Sequence, residues 1–154
     1  MPGWRDLGRG SCRPAGTAER LLATTREGAI YRIDTATGAT TSAGAYGGIY
    51  GSSGDIVSVV GAGTFATVVD DNLFFPTEYL ARIDETTGAA TIIGPTGVSE
   101  TWGVGYWGGT LYGFTHGGQV VTIDLATGHA TPVASVTPLW WGAGVTTRAP
   151  RSHG

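Results

Sequence analysis

The sequence has no lysine, a single cysteine, a single asparagine and a single glutamine among its 154 residues, and only 14% of them are charged. Because Cys12 has no second cysteine to pair with, we expect neither an internal disulfide nor a cysteine-based zinc site. No apolar run approaches the roughly 18 residues of a membrane-spanning helix, so we expect no membrane span. The hydrophobic share of 41%, with five tryptophans and six tyrosines, excludes a disordered polypeptide.

Charge is segregated along the chain. Residues 1–32 carry six arginines and three acidic residues, whereas residues 33–147 carry one arginine and nine acidic residues. Phosphate binding needs clustered cations, so we expect no nucleic-acid partner for this acidic body. The composition predicts a poorly ordered N-terminal tail over residues 1–18 and a disordered tail over residues 148–154. The first residues lack the apolar segment of a signal peptide, so none is predicted in this sequence.

A nine-residue motif occurs three times and determines the predicted fold. Its pattern is Ile-Asp-x-x-Thr-Gly-x-x-Thr, at residues 33–41, 83–91 and 123–131. The aspartates of successive copies lie 50 and 40 residues apart, within the period of β-propeller blades. Alternating apolar residues before each copy indicate a β-strand, and the threonine-rich residues after it indicate a returning strand. Each motif therefore predicts a hairpin whose aspartate accepts backbone hydrogen bonds, which makes Asp34, Asp84 and Asp124 structural residues.

The third repeat is the most complete and predicts four strands, at residues 102–107, 110–115, 119–124 and 129–134. The middle repeat predicts strands at 64–69, 72–77, 79–84 and 89–93, and the first repeat lacks a strand before Arg20. Residues 139–147 resemble residues 100–107 and predict one further strand. The chain is therefore expected to be all-β, with a propeller-repeat domain over residues 19–147. This domain is a partial β-propeller of about three four-stranded antiparallel blades (about 19–44, 64–94 and 102–135) plus one extra strand at 139–147.

Three blades are too few to close a ring, because known propellers have four to eight. Two interpretations follow. The chain is a fragment of a larger ring, which we favour, or two copies exchange the extra strand and form six blades. In both cases the open sheet edges predict self-association.

Residues 20–147 resemble bacterial extracytoplasmic β-propeller repeat proteins of the YVTN/PQQ-like type, and residues 51–68 and 102–114 are similar to their uncharacterised, glycine-rich secreted members. The resemblance implies a propeller fold and an extracytoplasmic or secreted location. Quinone-binding repeats of this type usually carry a tryptophan after the Thr-Gly turn. Threonines stand near that place here, at Thr41, Thr91 and Thr131, so we expect no quinone and no other cofactor.

One face of a propeller gathers the loops between the second and third strands of each blade and the loops between blades. These loops predict a rim that includes Arg26, Glu27, Tyr46, Tyr50 and Asp55. Aromatic rings beside carboxylates suit a glycan or peptide ligand. The alternative for the tryptophans is packing between blades. The ligand-binding candidates are Glu78, Tyr79, Glu100, Trp102, His116 and Trp140.

Metal binding and catalysis have less support. Asp70 and Asp71 offer hard oxygen ligands and are candidates for calcium, with a polar hairpin turn as the alternative. No two histidines are placed to share a transition metal, and no serine lies in a nucleophile elbow. We therefore expect no catalytic residues.

Three functions remain open. The chain is most simply a non-catalytic binding or scaffold module. Alternatively it belongs to a propeller glycan hydrolase or lyase with Glu78 and Glu100 as the acid–base pair, which requires carboxyl groups about 5–10 Å apart. The third interpretation is a truncated reading frame without autonomous function. Residues 45–63, which lengthen the first interval, are interpreted as a lid or as the beginning of the second blade.

Overall fold

A computed structural model of the chain describes residues 21–70, 74–145 and 148, and this part contains eleven β-strands and no helix. The all-β prediction is therefore confirmed. No helix in the described ranges is long and apolar enough to cross a membrane. The strands are β1 (Leu21–Thr24), β2 (Ala29–Ile33), β3 (Thr40–Ala45), β4 (Tyr50–Val59), β5 (Gly63–Asp70), β6 (Glu78–Ile83), β7 (Ala90–Pro95), β8 (Thr101–Trp107), β9 (Thr110–Thr115), β10 (Gln119–Ile123) and β11 (Ala130–Ser135).

The strands form three antiparallel sheets in which each strand pairs with the next one along the chain. Sheet 1 contains β1–β3, sheet 2 contains β4–β7 and sheet 3 contains β8–β11. In sheet 3 each observed strand begins and ends within one residue of its predicted bounds. Strand β9 shows why, since its residues alternate between half-buried and buried, as a strand with one face in the core requires.

The three motif turns have one geometry, which the Asp84 turn illustrates. Asp84 Oδ1 accepts hydrogen bonds from the backbone N–H groups of Thr86 and Thr87, both at 2.8 Å. The Asp84 carbonyl accepts the N–H of Gly88 at 2.8 Å, and Gly88 has a φ of 76°, in the left-handed region that glycine adopts without strain. The Asp34 and Asp124 turns repeat these bonds. The aspartates therefore have the structural role that the motif predicts.

Sheet 2 corrects the predicted strands of the middle repeat. Residues 64–69 lie in its second strand, β5, and not in its first, which is β4. The turn between the two strands lies at residues 60–62 instead of Asp70 and Asp71. The described part of the predicted strand at 72–77 is a connection in which Phe74 and Phe75 are 85% and 81% exposed. Of the two interpretations of residues 45–63, the structure agrees with the beginning of a sheet and not with a lid.

The extra strand predicted at 139–147 is not formed over its described part, residues 139–145. This segment instead lies beside the first strands of sheets 2 and 3. The backbone N–H of Ala143 donates to Asp55 Oδ2 at 2.6 Å. A β carbon at Gly103 would lie 2.8 Å from the carbonyl carbon of Gly142, so the two backbones are in close contact. Asp71 and the predicted tail at 1–18 lie outside the described residues, as does the tail at 148–154 apart from Arg148.

The core consists of two apolar clusters, each shared by neighbouring sheets. Sheets 2 and 3 contribute Phe65, Leu80, Val104 and Val121 to one cluster. Sheets 1 and 2 and the connection between them contribute the other, whose largest members are Ile30, Tyr46, Val68 and Ile83. Full burial of each large apolar side chain stabilises the fold by about 1.5–3 kcal/mol.

A repeated backbone joint holds the sheets together. The N–H of Ala90 donates to the carbonyl of Tyr46 at 3.0 Å, and the N–H of Ala130 donates to the carbonyl of Thr96 at 2.8 Å. At each joint the Thr-Gly turn of one sheet lies against the last strand of the preceding sheet. A β carbon at Gly94 would overlap the carbonyl oxygen of Thr127, so only glycine fits there.

Candidate functional site

An open cleft of about 890 Å³ lies where turns and strand ends of all three sheets meet. The β1–β2 turn, the beginning of β4, the β5–β6 connection and the β7–β8 connection all contribute to its walls. Its charged residues are four acids and one base. The lining residues that carry charge or an aromatic ring are Arg26, Glu27, Tyr50, Asp70, Glu78, Glu100 and Trp102.

Glu78 is the most enclosed acid of the cleft, with an exposure of 5%. Its Oε2 accepts the backbone N–H of Thr101 at 3.0 Å and the hydroxyl of Ser53, and its Oε1 accepts the hydroxyl of Thr96 at 3.3 Å. Hydrogen bonds compensate the cost of burying a carboxylate. Since Ser53 lies on β4 and Thr101 on β8, Glu78 ties together the first strands of sheets 2 and 3.

Glu100 differs from Glu78 in exposure and in backbone geometry. Its side chain is 60% exposed, and Oε2 lies 3.7 Å from Nδ1 of His116. Its φ of 57° is the one positive value among the described non-glycine residues. The Glu100 carbonyl accepts the N–H groups of Trp102 at 3.0 Å and His116 at 2.9 Å, which holds this uncommon conformation. Strained backbone of this kind clusters at binding and catalytic sites.

An aromatic cluster formed by Trp102, His116 and Trp141 stands beside Glu100. The Trp102 ring centroid lies 4.1 Å from that of His116 and 4.9 Å from that of Trp141. Trp141 is 75% exposed, so the cluster offers an open ring to a ligand. Of its three members, Trp102 also lines the cleft. Packing between blades is the alternative that the sequence offers for Trp141, as for the other tryptophans. The resemblance of Trp141 to Trp102 in the Trp-Gly-x-Gly pattern is the signal for its position here.

Tyr79 does not line the cleft but contacts two residues that do, Tyr50 and Asp70. The Tyr79 ring meets the Tyr50 ring edge-on at a centroid distance of 5.9 Å, and its hydroxyl lies 3.5 Å from Asp70 Oδ2. Asp70 Oδ1 accepts the N–H of Thr77 at 3.0 Å. Within residues 21–70 and 74–145 no three acidic, histidine or cysteine side chains form a metal-binding group, and Asp71 lies in the gap between these ranges.

Three residues predicted near the rim lie elsewhere. The half-buried Trp140 packs edge-on against Phe114 at a centroid distance of 5.5 Å and does not line the cleft. Tyr46 is 2% exposed in the core, and burial raises the pKa of its hydroxyl. Burial also raises the pKa of the Asp55 carboxyl, which accepts the Ala143 N–H from the final described segment.

The structure thus brings Glu78, Glu100, Trp102 and Asp70 to one cleft and places Tyr79 and His116 against its lining residues. The partners of Glu78, which are Ser53, Thr96 and Thr101, are not among the site residues predicted from the sequence. Threonine is so frequent in this chain that no pattern distinguished these positions. No protein-family model and no curated protein sequence matches the chain.

Proposed function

We propose that the chain is a non-catalytic binding module whose cleft takes a peptide with arginine or lysine side chains. The observation that carries the proposal is the charge of the cleft, where four carboxylates and one guanidinium converge from all three sheets. A concave surface with carboxylates of one sign raises the local concentration of cationic ligands. Tyr50 and Trp102 add aromatic faces on which a cationic side chain can stack.

The scaffold of this module is, in our proposal, a partial propeller of the type that the sequence resembles. Three consecutive up-and-down sheets support this arrangement, as does the recurrence of one backbone joint between them. Such a scaffold presents several loops on one rigid face, which is where binding residues concentrate.

Glycan hydrolysis by Glu78 and Glu100 has less support. The Glu78 carboxylate is occupied by Ser53, Thr96 and Thr101, so its oxygens already accept hydrogen bonds that hold two sheets together. A catalytic acid has to release its proton to the substrate, which these fixed contacts oppose.

Fluorescence anisotropy with a labelled lysine- and arginine-containing peptide tests the binding proposal. We expect saturable binding that weakens with added salt, because charges on the cleft surface are screened. Glu100→Gln and Glu27→Gln should each weaken binding about two- to fivefold, the effect of one exposed ion pair.

Glu85→Gln is the matched control. Glu85 lies two residues after the end of β6, whereas Glu78 begins this strand, so the control removes one acidic charge near the other end of the same strand. The glutamine oxygen can still accept the Thr64 hydroxyl that Glu85 binds. Equal weakening by Glu85→Gln, or equal binding of an acidic peptide, would refute a specific site for a cationic peptide. Binding of a neutral oligosaccharide instead of the peptide would favour the glycan alternative, and its cleavage would favour the hydrolase.

A further inference from the structure

Among residues 21–70 and 74–145, sheet 1 contains no counterpart of the first strand of sheets 2 and 3. Strand β1 is the counterpart of β9, since Leu21 faces Ile33 as Leu111 faces Ile123. In sheet 3 the other side of β9 pairs with β8. Among the described strands β1 pairs with β2 alone, and none of them lies beside its other edge. An unpaired edge of this kind is a template for another strand.

The segment 142–145 has the complementary property. Trp141-Gly142-Ala143-Gly144 repeats the pattern of Trp102-Gly103-Val104-Gly105 in β8. Gly54 of β4 packs against the backbone of Trp102, and Gly103 packs in the same way against Gly142 and Ala143. The segment therefore continues the series of first strands that β4 and β8 begin. It forms no ladder in the described chain, because no second strand of a following sheet lies beside it there.

We propose that residues 142–145 of one copy pair antiparallel with β1 of a second copy, and that the second copy returns the same contact. This inference rests on the proposed propeller arrangement of the first strands and does not depend on the ligand of the cleft. The pairs of β8 with β9 give the register. Val104 faces Gly113 and Gly105 faces Tyr112, so Ala143 should face Ala23 and Gly144 should face Leu22.

The two strands suit each other chemically. Neither residues 142–145 nor residues 21–24 contain a charged side chain, so no ion has to be desolvated when they pair. A β carbon at Gly144 would meet nothing within 4 Å, which leaves space beside this backbone for a second strand. Leu21 is 49% exposed and Val145 is half-buried, and this register places them opposite each other.

Light scattering over a dilution series provides the first test. We expect twice the chain mass of 15.8 kDa for the full chain. Gly144→Pro removes a backbone N–H needed by the ladder and should give the monomer mass with an unchanged far-ultraviolet spectrum. Gly144→Ala is the matched control and should retain the dimer. A monomeric wild type, or an open-ended series of larger masses, would overturn the proposal.

Disulfide trapping tests the register. Chains carrying Cys12→Ser with Ala23→Cys are mixed with differently tagged chains carrying Cys12→Ser with Ala143→Cys, and the mixture is oxidised. We expect the disulfide-linked heterodimer from this pair and a large loss of it when Leu21→Cys replaces Ala23→Cys, two residues out of register. Equal trapping of both pairs would contradict the proposed register. In a separate chain that carries Ala23→Cys and keeps Cys12, an intrachain disulfide formed in preference to the heterodimer would contradict the proposal, because residues before β1 would then fill this edge.

The two proposals fail independently. Peptide binding by a monomeric wild type would support the cleft assignment and overturn the dimer, whereas a trapped dimer that binds no peptide would support the strand pairing and refute the cleft assignment.

Discussion

At the scale of single residues, Glu78 and Glu100 have different roles, although both are among the three glutamates that line the cleft. Glu78 is buried and accepts three hydrogen bonds from two neighbouring sheets and a loop, whereas Glu100 is exposed beside an aromatic cluster. The first geometry positions strands, and the second leaves a carboxylate available to a ligand.

Replacement of Glu78 should therefore affect stability. We expect Glu78→Ala to lower the free energy of unfolding by about 2–4 kcal/mol, because the buried N–H of Thr101 and the hydroxyl of Thr96 lose a charged acceptor. Glu78→Gln retains an oxygen acceptor and should cost less than about 1.5 kcal/mol. Urea unfolding at pH 7 measures both. An unchanged midpoint for Glu78→Ala would contradict the structural role.

At the scale of elements, the motif turns depend on ionised aspartates. Backbone N–H donation from Thr37 lowers the pKa of Asp34, and the N–H groups of Thr87 and Thr127 do the same for Asp84 and Asp124. A carboxyl with a lowered pKa in the folded state stabilises the fold fully above its unfolded value, about 3.9. The contribution is lost as the pH falls through the lower folded value.

We expect the melting temperature of the wild type to decrease as the pH is lowered from 5 to 2, partly because these aspartates become protonated. Asp84→Asn keeps an acceptor oxygen but does not titrate, so its midpoint should fall less over the same range. Glu100→Gln, which removes one exposed carboxyl outside these turns, is the control. A slope for Asp84→Asn equal to that of the wild type would contradict the assignment.

Particular elements show how far the sequence determines this fold. Sheet 3 was predictable because glycine pairs, alternating apolar residues and the motif turn all mark its strands. Sheet 2 was not, because residues 50–55 read as a flexible Gly-Ser loop and Phe74-Phe75 read as a strand. Residues 50–55 form a strand because β4 pairs with β5. Phe74 and Phe75 instead lie exposed in the connection between β5 and β6.

The candidate site was predictable to a similar degree. Glu78, Glu100 and Trp102 were identified because the repeat assigns their loops to one face. Trp140 was assigned to the same rim, but the chain direction after β11 turns this side chain onto Phe114 and exposes Trp141 instead. The segment after β11 is not a regular strand, so the sequence has no alternating pattern that would show which of two adjacent tryptophans is exposed.

At the scale of the whole molecule, the joints between sheets require glycine where two backbones meet. Gly94→Ala should lower the free energy of unfolding by about 2 kcal/mol or more, because its methyl group would overlap the carbonyl oxygen of Thr127. Gly105→Ala adds the same methyl group in β8, where the nearest contact is 3.8 Å from Phe114 and ordinary. It should change stability by less than about 0.5 kcal/mol. Similar losses for both variants in urea unfolding would contradict a role for close backbone contact.

Each core cluster belongs to two adjacent sheets, and each joint uses the same pair of backbone groups. Energetic coupling in this molecule is therefore a nearest-neighbour property. If one unit of about 40 residues were duplicated within such a chain, the new sheet could form the same joint and share a core cluster with the sheet before it and with the sheet after it. The joint that holds neighbouring sheets together thus allows whole units to be added in evolution without substitutions in the neighbouring core clusters.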